Sequence, residues 1–97
     1  MGASKMKSIL HNKKECYCCK TTNNIEEHHC LYGIANRRIA ERFGLKVYLC
    51  AGHHRGRNGV HGGNKYLDIK LKQLAQNKFE ENHTREDFIK IFGKSYI

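Results

Sequence analysis

Two short turns bounded by cysteine or histidine constrain the fold of this chain more than any other feature. Cys16 and Cys19 are separated by two residues, and Cys50 and His53 repeat that spacing later in the sequence. Each such turn presents two ligands to one ion, and two turns together complete a tetrahedron around Zn²⁺. A domain of 97 residues buries a modest share of its surface and gains from such a staple. The spacing therefore predicts a structural zinc ion held by these four side chains.

Two further cysteines are left outside this set. Cys18 lies between the members of the first pair and is expected to point the other way, although Cys18 and Cys19 can exchange roles. Cys30 is interpreted as a small buried hydrophobic residue rather than a ligand. The N-terminal stretch lacks the apolar core of a secretory signal, so we expect a cytoplasmic protein whose reduced thiols bind metal rather than each other. No run of residues is long enough to predict a membrane span.

Basic charge is concentrated in the first two thirds of the chain. Residues 1–65 carry 12 lysines and arginines and 4 acidic residues, whereas residues 66–97 carry 6 and 5. Nucleic acid is the polyanion that such a surface favours, because each neutralised phosphate releases counterions. A solvated basic surface that only keeps the protein soluble has the same composition, so charge alone leaves both interpretations open.

The periodicity of apolar residues predicts a small α+β fold with a two-stranded, hairpin-like sheet. The stretches NIEEHH and LKVYL are typical of short strands, and apolar residues spaced four apart between them predict a helix that ends at Gly44. A short helix is predicted after Cys50. Two C-terminal helices, the second capped by Thr84, are predicted to cover the core.

No linker or internal repeat divides the chain, so a single domain is predicted. Residues 1–14 are interpreted as a basic N-terminal arm, and residues 15–97 as the domain. Within it, residues 15–63 form the predicted metal-binding core and residues 64–97 the covering helices.

Histidines cluster around the two Cys/His turns. His28 and His29 end the first predicted strand, and His54 and His61 follow the second turn. A lone histidine is more often structural than functional. Paired histidines at a strand end that face another at a helix start predict a second, reactive centre.

The order of these motifs resembles that of the HNH nucleases, also called the His-Me finger or ββα-metal family. The likeness is carried by CYCC, EEHHC and VYLCAGHHRGRNGVH, within residues 16–61, about half of the chain. It is particularly similar to small phage-type members. The resemblance implies a zinc-stapled ββα-metal core and a metal-dependent endonuclease that hydrolyses DNA, leaving 5′-phosphate and 3′-hydroxyl ends, in a bacterial or phage-infected cell.

The resemblance also implies a role for each histidine. His29 matches the general base that takes a proton from the attacking water, and His28 and His54 match ligands of a catalytic divalent ion. His61 would complete that ion's shell, with Asn58 as the competing candidate. The ion would stabilise charge growing on the phosphoryl and leaving oxygens. Magnesium prefers oxygen ligands, so nickel, zinc or manganese suit imidazoles at least as well.

The sequence departs from the family pattern at the asparagine. That residue usually lies shortly before or at the start of the second strand, where this chain has FGLKV, and the connection offers Asn36 farther upstream. We expect Asn36 either to pin the loop in a variant way or to belong to the connecting helix. Five arginines flank the proposed centre and are the predicted phosphate contacts: Arg37, Arg38, Arg42, Arg55 and Arg57.

The leading hypothesis is therefore a metal-dependent endonuclease with DNA as its partner. The sequence offers no base-reading helix, so weakly sequence-selective cleavage is expected, with targeting supplied by a larger assembly. One alternative is a catalytically silent, zinc-stapled module that binds DNA or a phage or host protein. Another is a purely structural zinc protein with one metal per chain.

Overall fold

Two short strands and the helix between them form the frame of the molecule. The computed structural model describes residues 7–97, in which β1 (Ile25–His29) pairs antiparallel with β2 (Lys46–Cys50). Helix α1 (Ile34–Phe43) connects them and ends at Gly44, whose φ of 69° lies in the left-handed region. A side chain at Gly44 would also collide with the backbone of residue 7. The predicted strand, helix, strand order is confirmed.

Three more helices follow the sheet: α2 (Ala51–Arg55), α3 (Lys65–Phe79) and α4 (Arg85–Phe92). The Thr84 hydroxyl accepts a hydrogen bond from the Asp87 N–H, which confirms the predicted cap of α4. The fold is thus α+β, with one two-stranded antiparallel sheet and four helices among the described residues. Within residues 7–97, no helix combines the length and the apolar character that a bilayer span requires.

One hydrophobic core joins the sheet to the helices. Leu71, Ala75 and Phe79 of α3 recur at a spacing of four, so they share one face of the helix, and all three are buried. The Phe79 ring lies 5.5 Å from that of Phe88 on α4, centroid to centroid, and 5.3 Å from that of Phe43 on α1. The C-terminal helices therefore cover the core and help to hold α1 against the sheet.

The described part of the predicted basic arm, residues 7–14, lies against β2 and forms neither helix nor strand. The Ser8 hydroxyl donates to the Lys46 carbonyl, and the Tyr48 N–H donates to His11 Nδ1 at 3.2 Å. Leu10 packs against the core. This segment is therefore part of the folded domain, and the rest of the predicted arm, residues 1–6, lies outside the described residues.

Candidate metal centres

The four side chains of the two Cys/His turns converge at one end of the sheet, and their ligand atoms lie within 4.8 Å of one another. His53 Nδ1 lies 3.5 Å from Cys16 Sγ and 3.3 Å from Cys50 Sγ, and Cys19 Sγ lies 3.9 Å from Cys50 Sγ. Tetrahedral zinc with ordinary bond lengths separates two sulfurs by about 3.8 Å and a sulfur from a nitrogen by about 3.5 Å. The donor set therefore fits Zn²⁺, as the sequence predicts.

Backbone N–H groups from both turns prepare Cys16 to act as a thiolate. Burial opposes ionisation of this thiol, but hydrogen bonds from the backbone N–H groups of Cys19 and Cys50 outweigh it and lower its pKa to about 6. The Cys19 N–H lies 3.5 Å from Cys16 Sγ. Because the thiolate is the form that binds metal, the backbone of both turns favours ion binding before any ion arrives.

The two remaining cysteines lie outside this cluster, as predicted. Cys18 is exposed, and partial burial of its thiol together with the nearby Cys16 raises its pKa to about 11. Cys30 is completely buried in the core, and burial raises its thiol pKa strongly. Neither thiol is among the four side chains whose ligand atoms converge.

Three histidines form a second cluster, in which one nitrogen from each of His28, His54 and His61 lies within 4.8 Å of the others. The His28 ring is 1% exposed, and its Nε2 atom is buried with no hydrogen-bond partner among residues 7–97. Such an orphaned nitrogen costs free energy unless an ion or a water binds it. Burial, followed by the neighbouring His54 and His61, lowers the pKa of His28 to about 3, so the ring is neutral and its lone pair is available.

The loop after α2 delivers the third histidine. The His61 N–H donates to the His54 carbonyl at 2.9 Å, which folds the loop back over α2. A side chain at Gly59 would lie 2.7 Å from the His53 carbonyl oxygen, so this tight return requires glycine. The structure thus brings His61 to the other two histidines, whereas Asn58 lines a separate hollow beside the first centre.

Glu26 supports the second cluster from the same face of β1 as His28. Its carboxylate lies 2.7 Å from His54 Nδ1 and 2.6 Å from Arg55 Nη2. Hydrogen bonds from Arg55 and then from His54 lower the pKa of Glu26 to about 2, so it is a carboxylate and accepts the His54 Nδ1 hydrogen. This leaves His54 Nε2 as the nitrogen with a lone pair, in the manner of carboxylate–histidine–metal triads.

A cavity of about 240 Å³ opens beside the second cluster. His29 at the end of β1 and His54 on α2 both line this cavity. Tyr32 closes one side, with its ring 4.8 Å from that of His61 and its hydroxyl donating to Asp68 at 2.9 Å. The lining residues are Glu27, His28, His29, Tyr32, Arg37, His54 and His61.

The five arginines predicted as phosphate contacts lie in different surroundings. Arg37 lines the cavity, and Arg38 and Arg42 are exposed on α1. Arg57 is exposed beside the first centre. Arg55 is bound on two nitrogens to a carboxylate, so it supports the second cluster rather than standing ready for phosphate.

His29 lies against α1, where its Nε2 is 2.7 Å from Glu41 Oε1. Asn36, the predicted partner of the site, is not beside it: the Asn36 amide donates to the Phe92 carbonyl at 3.3 Å and ties α1 to α4. Because five residues turn a helix by about 140° beyond a full turn, Asn36 and Glu41 face different neighbours. Asn36 therefore belongs to the connecting helix, the second of the two expectations for it.

The two clusters have different chemical capacities. Four ligands that include three sulfurs enclose an ion for structure, whereas three nitrogens facing a cavity leave a coordination position for water or substrate. Two carboxylates that the sequence did not predict contact these imidazoles: Glu26 contacts His54, and Glu41 contacts His29. Comparison of this chain with family models, curated proteins and solved structures finds no match in any of the three.

Proposed function

We propose that this protein is a metal-dependent endonuclease of the HNH type that hydrolyses phosphodiester bonds in DNA. The observation that carries the proposal is the shared cavity, in which His29 stands beside three histidines whose nitrogens can hold one ion. A base and a metal centre that face the same space are what phosphodiester hydrolysis needs. The resemblance to the ββα-metal family supports the same assignment.

Each residue around the cavity has a role in this proposal. His28, His54 and His61 would hold the divalent ion, which would supply stabilisation of the charge on the phosphoryl group. His29 takes a proton from the attacking water, and Arg37 binds a phosphate oxygen at the cavity. The formal charge of +9 favours the approach of a nucleic acid.

The chemistry of the second centre favours a borderline metal. Its three ligands are neutral imidazoles, so an ion there would keep its full charge, and Zn²⁺, Ni²⁺ and Mn²⁺ accept nitrogen ligands readily. Mg²⁺ prefers oxygen and retains its own waters. We therefore expect nickel, zinc or manganese to support activity at least as well as magnesium.

Nicking of a supercoiled plasmid in the presence of Mn²⁺, Ni²⁺, Zn²⁺ or Mg²⁺ tests the proposal. We expect the wild-type protein to convert the plasmid to open circles, and His29→Ala to lose at least about 100-fold of that rate, in keeping with the usual contribution of a general base. His83→Ala is the matched control. The His83 ring stacks on that of Phe79, with 4.3 Å between ring centroids, and does not line the cavity, so its loss should leave the rate unchanged.

Metal content must be measured on the same samples. Two metals per chain in both wild type and His29→Ala would show that the variant has lost the base and not an ion. The proposal would be contradicted if the well-folded protein failed to nick DNA with every one of these metals. Retained binding in a gel shift would then favour the silent DNA-binding module, and one metal per chain would favour the purely structural protein.

A further inference from the structure

The contacts of His29 extend past the cavity to a buried ion pair. We propose that Glu41 is the positioning residue for His29, and that Lys46 holds Glu41 in place for this task. The inference rests on the proposed function, because it assigns His29 the role of base. It specifies which ring nitrogen of His29 accepts the proton, and it names Glu41 and Lys46 as residues that act through His29.

Geometry places Glu41 between the other two side chains. His29 Nε2 lies 2.7 Å from Glu41 Oε1, and Lys46 Nζ lies 3.1 Å from Oε1 and 3.0 Å from Oε2 of the same carboxylate. His29 and Lys46 are opposite each other in the register of the sheet. A single carboxylate from α1 thus binds a cross-strand pair and fixes both side chains.

Lys46 and His29 are largely buried, so their polar atoms need partners within the protein. The Lys46 side chain is 4% exposed, and that of His29 is 11% exposed. A buried ammonium group is tolerated only beside anionic partners, and Lys46 has Glu41 together with Glu27, whose carboxylate lies 3.4 Å away. The Lys46 ammonium therefore pairs with the Glu41 carboxylate and holds it in a single orientation.

A charged carboxylate determines which nitrogen of His29 carries hydrogen. It has no hydrogen to donate, so the short contact requires a hydrogen on His29 Nε2. The neutral ring then has its lone pair on Nδ1. Since His29 lines the cavity of the second centre, Nδ1 is the atom assigned to receive the proton of the attacking water.

The proposed step balances as follows. Water gives a proton to His29 Nδ1 while its oxygen bonds to phosphorus, the bond from phosphorus to the 3′ oxygen breaks, and that oxygen leaves with a proton from solvent. The ring becomes an imidazolium whose positive charge faces the Glu41 carboxylate. Glu41 thereby stabilises the ring in the form that the reaction produces.

Two measurements test the inference on the full chain loaded with zinc, which is diamagnetic and leaves the ring signals near the second centre observable. Nitrogen-15 NMR of the histidine rings reports the tautomer of His29 independently of activity. Plasmid nicking gives kcat and KM for wild type, Glu41→Gln and Glu41→Ala. Glu41→Gln has nearly the same shape and removes only the charge, so it remains informative where Glu41→Ala fails to fold. Glu81→Gln is the matched control, because Glu81 forms an exposed pair with Lys78 and does not line the cavity that holds His29.

We expect hydrogen on Nε2 of His29 in the wild type and a mixture of tautomers in Glu41→Gln. We expect kcat to fall about 10- to 100-fold in Glu41→Gln, with KM and metal content unchanged, within the usual range for general-base contributions. In a His29→Ala background, Glu41→Gln should change the residual rate less than about twofold, since a positioning residue acts only through its partner.

Several outcomes would overturn the inference. These are a hydrogen on Nδ1 of wild-type His29, an unchanged tautomer in Glu41→Gln, or equal rate losses from Glu41→Gln with and without His29. If wild type nicks DNA and His29→Ala does not, these results refute Glu41 alone. If wild type does not nick DNA at all, the proposed function fails, and the catalytic role of Glu41 fails with it. The NMR measurement then still tests whether His29 Nε2 donates its hydrogen to Glu41.

Discussion

The two candidate metal centres of this small protein differ in ligand chemistry and in closure. The first offers three sulfurs and one nitrogen, which fill a tetrahedron, whereas the second offers three nitrogens beside a cavity of about 240 Å³. Four protein ligands leave an ion no free position, and three leave one for water or substrate. This difference is the reason we propose that the first centre maintains the fold and the second supports chemistry.

The centres also differ in how their ligands are prepared. Backbone N–H groups of Cys19 and Cys50, one from each turn, lower the pKa of the Cys16 thiol to about 6. In the second centre a side-chain carboxylate, Glu26, holds the His54 ring. The Cys50 N–H reaches Cys16 only when β2 is in place, and Glu26 reaches His54 only when β1 packs against α2. Both centres therefore depend on the folded sheet, and they differ in whether backbone or side-chain hydrogen bonds prepare the ligands.

The largest expected effect comes from opening the first centre. Structural zinc sites contribute about 10 kcal/mol or more of apparent binding free energy, comparable with the whole stability of a small domain. We expect Cys50→Ser, or removal of zinc by a chelator, to abolish cooperative thermal unfolding measured by circular dichroism. Restoring zinc to the chelated protein is the control. An unchanged melting temperature in zinc-free protein would remove the distinction between the centres.

Opening the second centre should spare the fold. His61 is exposed, so in protein with only the first centre filled we expect His61→Ala to change the free energy of unfolding by less than about 0.5 kcal/mol. It should lose one of two bound metals, measured by elemental analysis, and at least about 100-fold of plasmid nicking, since a catalytic ion contributes several kcal/mol. Global unfolding of this variant would show that both centres are structural.

Glu26→Gln tests whether the second centre depends on the carboxylate that orients one of its ligands, His54. Replacing the carboxylate removes the charge that orients His54, and losses of about 10- to 100-fold in metal affinity are usual for such partners. Calorimetric titration of Mn²⁺ or Ni²⁺ into protein already loaded with one zinc measures it. Arg55→Ala is the matched control, because it removes the other Glu26 partner and leaves the His54 contact. An equal loss in Arg55→Ala would mean that the ion pair, and not the His54 contact, matters.

The smallest effect is expected at Cys18, which lies within the first turn but outside the four ligands. We expect Cys18→Ala to leave zinc content at wild-type level and the free energy of unfolding within about 0.5 kcal/mol. Elemental analysis and thermal melts measure both. A loss of zinc would show that Cys18 exchanges with Cys19 as a ligand.

The sequence predicted those features that depend on near neighbours along the chain. The spacing of Cys16 and Cys19, repeated by Cys50 and His53, places each pair of ligands on one turn, and the structure brings both turns together. Apolar periodicity and Gly44 located the strands and α1. These signals succeed because they are set by local backbone geometry.

Features that depend on packing between elements were missed. Glu26 had a usable signal, since strand alternation places it on the face of His28. Glu41 had none, because its contact with His29 depends on where α1 lies on the sheet. For the same reason Asn36, which family resemblance brought forward, contacts α4 instead.

Helix α2 has a consequence for the order in which ions are taken up. Its five residues carry adjacent ligands of different centres, His53 and His54. Once an ion grips His53, the backbone of its neighbour has already lost most of its freedom, so the later ion meets a smaller entropic penalty. Metallation should therefore be sequential and mutually reinforcing, and zinc starvation should empty the histidine cluster even though none of its own side chains has changed.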